Sequence, residues 1–300
     1  MTYLLVSIPG EPKPPSGDAA ACASDELPAP LREHPGPETA GVPAGVSLRR
    51  VDGDYHTSRD GEVVDRLLIT GRLYIDNDDV KVKCTEVRRM TVNSGKGLEM
   101  WLSTLGDPNG VSEGSALAST NYTLRRVNIL GTIDGLKADG DVDVRDSYIH
   151  DLFRTGDPNQ ESGVTHNDGV QIGKGSDIVF RHNTFHIWTF EKGQKAGENL
   201  FKSPFGNGVG YATSAFLIGA STGQVRDVLI KDNVIRGRTS KPFIVSEKNG
   251  YRVKGLRIVD NVLGRESRDY PVMFAGVQDA TVEGNVFVDG SPADPGEVSQ

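Results

Sequence analysis

Two Asp-Gly pairs carry the most chemically suggestive pattern in the chain, because Ile133-Asp134-Gly135-Leu136-Lys137 aligns with Asn167-Asp168-Gly169-Val170-Gln171. Two carboxylates brought close raise the pKa of one while the other stays ionised, as acid/base chemistry and glycosidic cleavage require. In that alignment Lys137 lies over Gln171, and His166 just precedes the second aspartate. Four of the six histidines, His150, His166, His182 and His186, fall between positions 150 and 186. Asp134, Lys137, His166 and Asp168 are therefore the candidate catalytic set. Asp-Gly is equally a turn signal, and the same aspartates could do no more than hydrogen-bond a corner.

Two insertions could wall a cleft around that set. The first, YIHDLFRTGDPNQESGVTHNDGVQ, brings His150, Asp151 and Arg154 beside the Asp-Gly turns, so His150, Arg154 and Gln171 are candidate substrate contacts. The second, from about residue 188 to 213, is glycine-rich and carries Trp188, Phe190, Lys192, Lys202 and Tyr211. Its rings, Trp188 and Tyr211 first, could stack on sugar faces or merely pack the loop down. The outward acids Asp139, Asp141 and Asp143 could hold calcium, a hard ion that takes several oxygens, or stay solvated.

What positions these residues is a repeat. NYTLRRVNI, DVDVRDSYI, DIVFRHNTF, DVLIKDNVI, GLRIVDNVL and DATVEGNVF fall into register, with DVKVKCTEV as an earlier, weaker copy. Taking the seventh residue as anchor gives Thr85, Val127, Ser147, Asn183, Asn233, Asn261 and Asn285, at spacings of 42, 20, 36, 50, 28 and 24 residues. Apolar residues precede each anchor at alternate positions, as in Ile178 and Phe180, and one follows it, as in Phe185. Period two marks strands with one buried face, and no helical period is present. A single turn cannot bury its inner face alone, so the turns must stack into a parallel β-helix of about seven or more turns. The asparagine anchors are expected to form an amide ladder at a tight corner, where Asn tolerates left-handed backbone angles.

The position two before each anchor gives an outward stripe of Lys83, Arg125, Arg145, Arg181 and Lys231. Arg145 and Arg181 could track an acidic polymer lying along the helix axis. Alternatively the stripe is a solvated face balanced by the acids six before the anchor, Asp79, Asp141, Asp177, Asp227 and Asp279.

Composition narrows the classes. With 36% apolar residues and 36 glycines in 300, the chain is globular and rich in turns. The balance of 33 basic against 41 acidic residues, a net charge of −8, argues against a general nucleic-acid binder. No apolar run approaches the roughly 18 residues a membrane span needs. The opening MTYLLVSIPG has too short an apolar core for a clear secretory signal. Cys22 and Cys84 make neither a zinc site nor a disulfide scaffold, and a single bridge between them stays open. Residues 1–35, rich in proline and small residues, read as an extended linker or processing segment with little core, 36–290 as the β-helix domain and 291–300 as a tail.

On HPGPETAGVPAG, NYTLRRVNILGTIDGLKADGDVDVRDSYIHDL and THNDGVQI, the chain resembles the right-handed parallel β-helix proteins of the pectate-lyase-like superfamily, over about residues 35 to 290. The resemblance implies an all-β solenoid and a secreted, cell-surface or virion-borne protein that cleaves a polysaccharide as a lyase or glycoside hydrolase. His166-Asn167-Asp168-Gly169 partly echoes the Asn-Thr-Asp-Gly motif of polygalacturonases, whose Asp-Asp, Gly-His-Gly and Arg-Ile-Lys motifs have no match downstream. In lyases of the superfamily a basic residue abstracts the proton beside calcium-binding acids, a role open here to Lys137, Arg154 or His166 by position. The expected cofactor is therefore none, or calcium. A noncatalytic glycan-binding or phage-tail structural protein, homotrimeric if particle-borne, is the alternative.

Overall fold

The computed structural model describes residues 22–110, 113–118, 120–160, 162–194, 196, 211–267, 272–275 and 279–293. The chain is a right-handed parallel β-helix. Three all-parallel sheets of ten, nine and nine strands are visited in strict rotation, first, second, third and back to first. Each strand pairs with the one a full turn later, as Val142–Arg145 pairs with Ile178–Arg181. Alternation explains the strands: Ile178 and Phe180 point into the core while Val179 and Arg181 face outward. Inside, side chains stack from turn to turn, with Phe180, Phe185, Phe216 and Phe243 in ring contact. Such stacking supplies the continuous core that no single turn could make.

The three corners differ. From third to first sheet the connection is two residues in every turn after the first, which uses Arg66 alone. From second to third sheet it varies only between three and six residues, whereas from first to second it runs from one to 20. All long insertions thus emerge from one corner.

The anchors line the short corner, and there the amide ladder is real. Ser147 N–H donates to Asn183 Oδ1, Asn183 N–H to Asn233, Asn233 N–H to Asn261 and Asn261 N–H to Asn285, each at 2.9–3.0 Å. Hydroxyls extend it: Leu67 and Thr85 N–H groups donate to Thr85 and Ser103 Oγ atoms, and Val127 N–H to Ser147 Oγ. The left-handed residue is not the anchor itself but its predecessor, as at Asp146, His182, Asp232 and Asp260 (φ 53° to 57°). The anchor amide is occupied with its neighbours, so the preceding residue absorbs the bend. The acid column six before the anchor serves the second-to-third corner similarly, with Asp79, Asp141, Asp177 and Asp227 at φ 51° to 60°.

Two turns escape the repeat. Val63–Asp65 and Leu98–Trp101 are full third-sheet strands, and Ser103 is an anchor between Thr85 and Val127, which splits the apparent 42-residue step. In Leu98-Glu99-Met100-Trp101-Leu102-Ser103 the positions expected to be polar are Trp101 and Leu102, both at most 1% exposed.

Their cover is the N-terminal segment. Cys22 is disulfide-bonded to Cys84, with Cα atoms 5.9 Å apart, and packs with Trp101 and Leu102 under Leu27 and Val46. From there the chain climbs the short corner: Arg126 donates to Ala29 O and His34 meets Asp232 O at 3.0 Å. It turns over residues 36–40 and descends, with Gly41 N–H on Arg126 O. Gly41 has φ +93°, and a Cβ there would stand 2.8 Å from Asn128 Cβ, so only glycine fits. Residues 22–46 are a strap docked along the coil, not a free linker.

Candidate functional site

Asp134 and Asp168 begin second-sheet strands on consecutive turns, in one column with Ser115 below and Ser214 above. Their glycines stay in these strands without a turn conformation. A Cβ on Gly135 would lie 2.3 Å from Gly169 O and one on Gly169 2.6 Å from Ala215 O, so close rung approach demands glycine.

Within the column, Asp134 Oδ1 accepts the Asp168 N–H at 2.9 Å. Asp168 receives the Ser214 hydroxyl on Oδ1 at 2.6 Å and the Gln171 amide on Oδ2 at 3.0 Å. Asp168 is fully buried and Asp134 only 8% exposed. Burial, reinforced by the Asp168 charge, pushes the Asp134 carboxyl up to about 8. Burial also raises Asp168, against the opposing bonds from Ser214 and Gln171. Asp134 is therefore a carboxylic acid, not a carboxylate, near neutral pH, and its Oδ2 makes no hydrogen bond among the described residues. Such a group can donate a proton.

The remaining expected site residues divide among separate faces, because a three-sided coil sends residues about ten apart to different sheets. Lys137 and Gln171 pair in register on the outer face of the second sheet. With Lys248, Leu217 and Thr222 they line a groove of about 180 Å³. His166 is exposed at the end of the hairpin that leads into Asp168. The first sheet's outer face carries a ring platform in which Tyr148 stacks on His150 at 4.2 Å and His186 meets Trp188 edge-on at 5.7 Å. Both His150 nitrogens are engaged, with Asp151 Oδ2 at 2.6 Å and Asn128 Oδ1 at 2.9 Å. Asp151 sits at φ +43° in a bulge opposite the next strand. Burial lowers His186 and raises Tyr148 to about 12. Arg154 is 7% exposed, with Nε and Nη1 unpartnered among the described residues, and Tyr211 lies under the Arg238 guanidinium at 5.1 Å. Lys202 lies outside the described residues.

Arg145 and Arg181 are register partners on the third sheet, away from the first-to-second corner. The stripe is largely neutralised: Asp143 pairs with Arg125 and Arg145, Asp25 with Lys83 and Asp260 with Lys231. Asp143 is spent there, Asp139 accepts the Gly173 N–H, and Asp141 forms a corner, so these three carboxylates do not converge. One feature went unnoticed in the sequence. Tyr148 follows its anchor at a position that holds Glu86, Asn128, Thr184 and Val234 in other turns, so no repeating pattern marked it as part of a ring platform.

None of the family models, curated proteins or solved structures compared with the chain matches it.

Proposed function

We propose that the protein cleaves a polysaccharide at the first-to-second-sheet corner, with Asp134 as the proton donor to the leaving glycosidic oxygen. The observation that carries this reading is the raised carboxyl of Asp134 at the corner where, among the described strands, the long connections lie. Asp168, buried with both oxygens engaged, tunes Asp134 and is not the second reacting carboxylate. The complementary base is then sought among exposed groups nearby, Lys137 or His166. In a lyase that base removes the proton beside a uronate carboxylate as Asp134 protonates the departing oxygen; in a hydrolase it activates water. The Tyr148, His186 and Trp188 platform offers ring faces on which sugars stack. The Cys22–Cys84 bridge supports an extracellular, cell-surface or virion-borne setting. All of this accords with the pectate-lyase-like resemblance.

Complete burial of Asp168 favours a second reading, in which the column is a corner hydrogen-bond network and the coil binds glycan without cutting it, as a particle-borne trimer. Digestion of an acidic and neutral glycan panel, with and without calcium, separates the two. Cleavage by wild type that falls about 10²- to 10⁴-fold in Asp134→Asn is expected, with ultraviolet-absorbing ends marking a lyase and reducing ends alone a hydrolase. Absence of cleavage across the panel, with glycan binding by a trimer, would establish the second reading.

A further inference from the structure

At the upper end of the strap three side chains from distant parts of the sequence meet. His34 comes from the strap, while His182 and Asp232 are the left-handed corner residues of two consecutive turns (φ 56° and 55°). One donor atom from each lies within 4.8 Å of the others, and among the described residues no other group of three such side chains does so. The imidazoles stack at 4.4 Å with planes 30° apart, and His34 Nε2 is 3.5 Å from Asp232 Oδ1. His182 Nδ1 is held by Asp146 Oδ1 at 2.6 Å, with Asp146 itself 3% exposed. That bond fixes the ring and leaves Nε2 as its free donor.

We propose that His34, His182 and Asp232 bind a divalent first-row metal ion of the zinc class, which clamps the strap to the coil. Two neutral imidazoles and one carboxylate form a donor set that suits such an ion, with water completing a tetrahedron. A carboxylate behind a ligating imidazole is the usual second partner, and Asp146 occupies that place. Donors on a tetrahedral zinc stand about 3.4 Å apart, given bonds of about 2.1 Å, so the three must close in by about an ångström. Ligation exchanges the His34 Nε2 contact with Asp232 O for a metal–nitrogen bond.

The position gives the ion a purpose. The strap leaves Cys84 at its disulfide and reaches His182 and Asp232 four and five rungs higher, about 22 Å along the axis at 4.8 Å per rung. Between these ends Lys81 and Lys83 hold Ser24 and Asp25 close to the disulfide, and higher up Arg126 donates to Ala29 O. Disulfide and metal would then staple the two ends of one strap.

The test uses the full chain, stripped with chelator and titrated calorimetrically with zinc chloride. Cobalt serves as a second probe, since its visible bands report coordination number. One equivalent is expected to bind, with a four-coordinate cobalt spectrum and slower proteolysis of residues 26–40 once zinc is present. Affinity should fall at least tenfold in His34→Ala and in Asp232→Asn, fall about tenfold in Asp146→Asn, and hold in His56→Ala, whose imidazole pairs elsewhere with Asp76. His34 contributes nothing to the core, so circular dichroism of His34→Ala should match wild type. Zinc binding within twofold of wild type in His34→Ala, or none at about 1 mM zinc, would overturn the proposal.

Discussion

Two polar columns run through this coil at different corners, and they are built on opposite principles. At the short corner Asn183, Asn233, Asn261 and Asn285 are neutral, and each amide satisfies the next. At the long corner Asp134 and Asp168 place two titratable groups where burial opposes their charge. The first column is covered by the strap as far as the Asp232 corner and its connections hardly vary, while the long insertions all leave from the corner of the second. A buried polar column stabilises when it can satisfy itself without charge, and it becomes chemically poised when it cannot. Scaffold and candidate chemistry are thereby assigned to different edges of one prism.

Removing the strap's covalent tie should produce the largest stability change. The bridge joins residues 62 apart, and chain-entropy reasoning puts the loss in Cys22→Ser/Cys84→Ser at about 4 kcal/mol, read by denaturant unfolding. Loss near zero would mean that the strap is held by its other contacts, and the short corner would owe little to its cover. Next comes the ladder itself. Asn233 accepts from Asn183 and donates to Phe180 O, Lys231 O and Asn261 Oδ1, so Asn233→Ala should cost about 3 kcal/mol by stranding several buried groups. The long corner should respond less to loss of a neutral partner: Ser214→Ala removes one bond to the Asp168 carboxylate and should cost about 2 kcal/mol. If Ser214→Ala proved as costly as Asn233→Ala, the contrast between the columns would collapse.

The sequence made the two columns unequally legible. Period-two apolar pairs around Asn183, Asn233, Asn261 and Asn285 announced the coil and the short corner, because core stacking and amide ladders act on fixed offsets. The alignment of Asp134 with Asp168 likewise foretold their rung contact. Leu98–Ser103 stayed hidden because its outward positions, Trp101 and Leu102, face the strap instead of water. The strap itself was read as a linker, since proline and small residues say nothing of a distant surface on which to dock. Arg145 and Arg181 were legible as register partners on one outward stripe, but the offsets alone did not show that their sheet faces away from the corner of Asp134 and Asp168. His34 could not be joined to His182 and Asp232 without coordinates, as 148 residues or more separate it from them.

The most direct test of a proton-bearing carboxyl at the long corner is stability against pH for wild type and Asp134→Asn. The Asp134 pKa rises from an ordinary 3.8 to about 8 on folding, so the folded state holds a proton that the unfolded chain has lost. Its contribution is complete below about pH 4 and disappears as pH climbs through 8. The amide in Asp134→Asn keeps an oxygen for the Asp168 N–H and carries no proton to lose. Wild type should lose stability relative to Asp134→Asn between about pH 4 and 8, with the difference curve falling through that window and flattening above it. A flat difference curve, or one in which wild type gains on Asp134→Asn as pH rises, would show that Asp134 is an ordinary ionised carboxylate and would contradict its role as the proton donor.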